Sequence, residues 1–195
     1  MHIHLTSTAR AAAIALIITV ATQIIYITLS NTGVTPNRQV IWSTEVLAFL
    51  AISVTGLVLL PVRPLIGAGL AVGGVLNVIQ AGMGLVMFPP LMEAGDALGP
   101  VFSAVLAMAF LLFHAGKVAF GVAAMAIARD LWHTGGVARA IGALAGITGL
   151  AAALLNAIAI AMADNDLMFP AGAAGTAAAL FLALGLTVLR PVTTE

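Results

Sequence analysis

Six apolar runs, separated by prolines, glycines and polar residues, dictate what this chain can fold into: residues 11–30, 41–60, 64–88, 101–128, 137–162 and 171–189. Each is close to the ~20 residues that an α-helix needs to cross about 30 Å of hydrocarbon. Backbone N–H and C=O groups find no water there, so a spanning segment must satisfy them internally, as a helix does. Breakers stand between the runs: Asn31 to Asn37 with Gly33 and Pro36, then Pro61 and Pro64, then Pro89 and Pro90 through Gly99 and Pro100, then Thr134 to Gly136, then Asp164 to Pro170. The reading is an all-α integral membrane protein, one domain over 1–195 built as a six-transmembrane-helix bundle. The first run follows Arg10 and continues to Ser30 without a small-x-small cleavage pattern, so it is expected to remain as the first span.

Composition agrees and removes several function classes. Hydrophobic residues make up 62% of the 195 positions and charged residues only 7%, against about a quarter charged in soluble proteins. So few charges cannot coat a water-soluble domain, and the expected surroundings are a lipid bilayer. Seven basic and seven acidic residues cancel, which leaves no positive field to gather nucleic acid. The sequence holds no cysteine, so disulfides, thiolate metal sites and thiol catalysis are excluded.

Positive charge orients the chain. With the N-terminus in the cytoplasm, Arg10, Arg63, Arg129, Arg139 and Arg190 face inward and only Arg38 faces out, as the positive-inside rule requires. Glu93, Asp96, Asp164 and Asp166 then decorate the outer loops. Both termini are expected to be cytoplasmic. Trp42 and Trp132 read as interfacial anchors at opposite faces of the membrane.

The odd-numbered spans share a pattern. Each begins near a cytoplasmic arginine and carries carboxamides partway across: Gln23, then Asn77 with Gln80, then Asn156. Ile66-Gly67-Ala68 returns as Ile141-Gly142-Ala143, Leu76-Asn77 as Leu155-Asn156, and Met87-Phe88-Pro89 as Met168-Phe169-Pro170. A three-hairpin pseudo-repeat is one reading, and parallel repeats are a known transporter construction; chance matches in an alanine- and glycine-rich text are the other. Gly69-xxx-Gly73 and Gly142-xxx-Gly146 form flat faces suited to close helix packing, either within the chain or as a homo-oligomer contact.

Lys117 is the one lysine, and it lies a helical turn from His114 in an otherwise apolar run. At 1.5 Å of rise per residue, His114 falls near the midplane and Lys117 about 4.5 Å further inward, on one helix face. By the same ruler Asn77 lies near the midplane, Gln80, Asn156, Gln23 and Tyr26 in the outer half, and Glu45 about a turn below the outer surface. If these faces turn inward together, they line a pocket that opens outward, floored by Lys117 and His114.

A lysine at the centre of a spanning helix costs about 2.5–3.5 kcal/mol on insertion scales, so it must be neutral, paired or hydrated. Three outcomes follow: a stem snorkelling to the cytoplasmic headgroups, an ion pair with Glu45, the one carboxylate inside a predicted span, or a role with a ligand or proton. The carboxamides read either as interhelical glue, worth about 0.6 kcal/mol each, or as pocket walls.

No cofactor is expected. Haem on His114 is an alternative, but His2, His4 and His133 lie at the cytoplasmic ends, so the second axial ligand would have to be a methionine such as Met83, Met108 or Met125. The His2-x-His4 start reads as a tail rather than a metal grip. Ser43, Ser53 and Ser103 lack a Gly-x-Ser-x-Gly elbow, and neither a phosphate loop nor a His-Glu-x-x-His zinc helix occurs. No catalytic residue or metal ligand is assigned, and an enzyme is not favoured.

Thr8-Ala9-Arg10 leading into an isoleucine-rich span, Phe113-His114-Ala115-Gly116 through Gly121, and Trp132-His133-Thr134-Gly135-Gly136 before Arg139-Ala140-Ile141-Gly142 resemble small bacterial six-span membrane proteins catalogued as a domain of unknown function. The resemblance covers most of the chain. It implies a multi-pass protein of the bacterial inner membrane and supplies no activity, substrate or site residue.

The functional expectation is a protein that binds or translocates a small polar or anionic ligand or ion, with Lys117 and His114 as a charged floor and Glu45, Asn77, Gln80, Asn156, Gln23 and Tyr26 around them. The alternatives are an accessory subunit of a larger membrane complex, and an intramembrane enzyme or a haem- or pigment-binding protein.

Overall fold

The computed structural model describes residues 5–162 and 167–189; His2, His4, Asp164, Asp166 and Arg190 lie outside them. Helices α1 (Leu5–Asn31), α2 (Arg38–Leu59), α3 (Pro64–Val86), α4 (Phe88–Glu93), α5 (Gly99–Leu131), α6 (Gly136–Met162) and α7 (Met168–Val188) follow in order, with a 3₁₀ turn at Gly95–Leu98. Six helical segments are long and apolar enough to cross a membrane: α1, α2, α3 continued by α4, the 3₁₀ turn continued by α5, α6 and α7. The protein is an all-α, six-helix membrane bundle, and no strand occurs among the described residues.

Local sequence explains the helix ends. Asn37 caps α2, its side chain accepting the Val40 N–H at 3.1 Å, which satisfies one of the orphan donors of a helix start. Pro64 and Pro100 stand in the first turns of α3 and α5, where a missing N–H costs nothing. The same tolerance explains a departure from the sequence reading. Pro89 and Pro90, expected as breakers in a loop, instead lie in the first turn of α4.

Packing closes the helices into a ring: α1 touches α2, α2 touches α3, α3 touches α5, α5 touches α6, α6 touches α7 and α7 returns to α1. α5 also touches α7 across the ring. The expected small-residue faces are consumed inside the chain. A Cβ on Gly69 would meet Ala119 and Ala123, one on Gly73 would meet Phe120, and Gly142 and Gly146 face Leu131 and Ala128, all on α5. Any homo-oligomer must therefore form through other surfaces. Where α5 crosses α6, a Cβ on Gly121 would lie 2.6 Å from the Gly149 carbonyl oxygen and one on Gly149 would lie 2.7 Å from that of Gly121. Only glycine permits that backbone approach.

The two ends of the bundle differ. Arg63 pairs with Asp130 where α3 begins and α5 finishes, and Arg139 lies 5.2 Å over the Trp132 ring at that same end. Trp42, stacked on Tyr26 at 6.3 Å, marks the opposite end.

Candidate functional site

Helix ends from one side of the bundle bring the aromatic residues together. α1 contributes Tyr26 from its second half, α2 contributes Trp42 from its first, and α4 and α5 add Phe88 and Phe102. Trp42 meets Phe88 edge-on at 5.9 Å and Phe88 meets Phe102 at 5.5 Å. They wall a cavity of about 410 Å³ that also touches Gln23, Glu45, Gln80, Phe110, Phe113, Met168, Gly172 and Thr176. Arg38 stands at its rim, 5.8 Å from the Trp42 ring centre. The short helix α4, unforeseen from sequence, matters here because it sets Phe88 and Met92 into the lining.

The polar part of the cavity is built on two adjacent residues of α1. Thr22 donates to Glu45 Oε1 at 2.9 Å, and Glu45 is only 7% exposed. Its second oxygen has no hydrogen-bond donor among the described residues. Gln23 Oε1 accepts two bonds, from Lys117 Nζ at 3.0 Å and from Thr176 Oγ1 at 2.7 Å. Lys117 itself is 1% exposed, and its ammonium lies 5.1 Å from the Phe113 ring centre.

Two of the outcomes foreseen for Lys117 are thereby removed. Helical side chains tilt toward the helix N-terminus, and the N-terminus of α5 is the cavity end, so Lys117 reaches toward Gln23 instead of snorkelling to the near surface. Nor do Lys117 and Glu45 form a contact ion pair; among the described residues the ion pair within 4 Å is Arg63–Asp130. Space for the lysine stem comes from Gly175 of α7, where a Cβ would lie 2.6 Å from Lys117 Cδ.

The sequence reading grouped eight polar residues into one pocket, and the structure divides them. Gln23, Tyr26, Glu45 and Gln80 line the cavity, with Lys117 bonded directly behind Gln23. His114, Asn156 and Asn77 do not line it. His114, 5% exposed, meets Asn156 Oδ1 through Nδ1 at 2.7 Å, while Asn156 Nδ2 donates to Ala152 O at 2.8 Å and Ala171 O at 3.0 Å. The bonds among His114, Asn156 and Ala171 tie α5, α6 and α7 together. Asn77 Nδ2 turns back to Gly73 O at 2.7 Å, close against Gly116, and its Oδ1 is buried with no partner among the described residues. The floor of the cavity is thus Gln23 and Thr176, and no histidine lines it.

Sequence reasoning missed Thr22, Thr176 and Gly175. Thr22 precedes Gln23, and Thr176 is one of two threonines in α7, yet isolated threonines recur in spanning helices bonded to their own backbone, as Thr148 is here. No group of three or more histidine, aspartate and glutamate side chains able to hold a metal ion occurs among the described residues. No protein family, curated protein or solved structure matches this chain.

Proposed function

We propose that this membrane protein binds, or passes across the bilayer, a small ligand that enters the cavity lined by α1, α2, α3, α4, α5 and α7. Ligand sites are concave and largely apolar with a few placed polar groups, and this cavity has aromatic walls and a base of Gln23, Thr176 and Glu45. The observation that carries the reading is the buried carboxylate of Glu45, with one oxygen held by Thr22 and the other left to the cavity. A charge in a spanning segment is costly to retain without a use. The ammonium expected as the floor instead sits behind Gln23, where it polarises the carboxamide that a ligand would touch.

Arg10, Arg63, Arg129 and Arg139 belong to the end away from the cavity and Arg38 to the cavity end, so the positive-inside rule gives an outward-facing mouth and a cytoplasmic N-terminus. Together with the six-span resemblance, this favours the bacterial inner membrane.

Gly172 supplies the test. A Cβ there meets only the Phe113 ring, at 3.6 and 3.8 Å, so Gly172→Leu grows into the cavity without a backbone clash. Compounds that raise the thermal midpoint of the wild-type protein in a small-molecule screen are expected to leave Gly172→Leu unmoved. Equal shifts in both proteins would refute this cavity as the site.

A further inference from the structure

We infer that the cavity takes a lipophilic organic cation and that its binding releases one proton from the Glu45–Lys117 couple. The inference rests on the ligand-site reading above and names its substrate class. The walls and the charge decide the class: aromatic faces attract cations, and the buried charge-bearing group of the lining is the Glu45 carboxylate, while the Arg38 guanidinium stands exposed at the rim. Two cations already lie over aromatic rings at its borders, Arg38 over Trp42 at 5.8 Å and Lys117 over Phe113 at 5.1 Å. Between them, Tyr26, Phe88, Phe102 and Phe110 line the space together with Glu45. A simple anion would meet Glu45 across a few ångströms of low-dielectric space.

Charge balance supplies the proton. Glu45 and Lys117 are both buried, and the pair is neutral overall whether the proton rests on the amine or on the carboxyl. A bound cation adds one positive charge to a region where an uncompensated charge is expensive. From either starting state the balanced end state is the same: a carboxylate facing the cation, a neutral Lys117 amine, and one proton delivered to water. Lys117 is suited to that change, since its three N–H donors have one acceptor among the described residues, Gln23. The other titratable or charged groups near the couple are Tyr26 on α1, Arg38 on α2 and His114 on α5; His114 is engaged by Asn156.

The experiment uses the full chain in lipid nanodiscs, with empty discs as blank. Trp132 is half exposed at the opposite end, so Trp132→Phe leaves Trp42 as the single indole reporting from the cavity. Three probes of similar shape are titrated: tetraphenylphosphonium, tetraphenylborate and neutral triphenylphosphine oxide. Saturable quenching of Trp42 is expected with the phosphonium, weakened by about tenfold or more in Glu45→Gln, whose side-chain oxygen still accepts from Thr22. In weakly buffered solution each bound phosphonium is expected to release one proton, a release kept in Lys117→Met, where the buried Glu45 carboxyl holds the exchangeable proton, and lost at saturation in Glu45→Gln, where a neutral amine has none to give. Gly172→Leu, expected to abolish the quenching, serves if Glu45→Gln does not fold. Phosphonium binding without proton release overturns the exchange. Equal binding of the three probes, or none by any of them, overturns the cation class while ligands blocked by Gly172→Leu would keep the cavity as a site. If no compound distinguishes Gly172→Leu from the wild type, the underlying site reading falls as well.

Discussion

Gln23 and Lys117, 94 positions apart, are joined by a hydrogen bond of 3.0 Å in the half-buried base of the bundle. The bond joins the first span to the fifth helix, whose backbones make no contact of their own. Among the described residues it is also the one hydrogen bond that Lys117 Nζ donates. Removing the acceptor therefore leaves a buried cation unpaired, whereas removing both partners leaves two apolar side chains in contact. Gln23→Leu is expected to lower stability by about 1.5–3 kcal/mol, the usual worth of a hydrogen bond to a charged group. Adding Lys117→Met is expected to restore most of it. The check is a double-mutant cycle on thermal or denaturant midpoints in detergent, and additive losses would show that the bond carries no coupling.

The glycine pair at the α5–α6 crossing makes a sharper packing prediction. A methyl group on Gly121 would lie 2.6 Å from a backbone oxygen that cannot rotate away, while one on Gly82 meets nothing within 4 Å. Gly121→Ala is expected to cost about 1–3 kcal/mol through overpacking, with Gly82→Ala neutral or slightly stabilising. Comparable midpoints for the two variants would contradict the close approach.

His114 has a determined tautomer when neutral. The Asn156 amide nitrogen donates to two carbonyls, Ala152 O and Ala171 O, so its oxygen faces His114 and can only accept. The imidazole proton must then reside on Nδ1. Nitrogen-15 NMR of histidine-labelled protein should show a protonated Nδ1 for His114. Asn156→Leu is expected to abolish that signature and to cost about 1–3 kcal/mol by orphaning the ring nitrogen.

Topology is accessible because the sequence has no cysteine. Single Glu93→Cys and His133→Cys variants place one thiol at each end of the bundle. A membrane-impermeant maleimide added to intact cells is expected to label the Glu93→Cys protein alone, and labelling His133→Cys alone would invert the orientation.

By itself the sequence determined the spans, their number and the asymmetry of positive charge. The reason is physical: hydrocarbon about 30 Å thick demands ~20 apolar residues per crossing, and prolines and glycines mark where crossings stop. Even so, α4 was legible only in part, since Pro89 and Pro90 signal both a loop and a helix start. What only the tertiary structure decided was the rotation of each helix about its axis. In a bilayer the lipid-facing and inward-facing sides are both apolar, so Gln23, Asn77 and Asn156, alike in chemistry, gave no sign of which would meet Lys117. Packing turned Gln23 to the lysine and Glu45 to Thr22, left Asn156 to His114, and drew Gly175 aside to admit the lysine stem. Contacts of that kind depend on side chains far apart in the chain arriving within 3 Å of each other, a condition that no local pattern encodes.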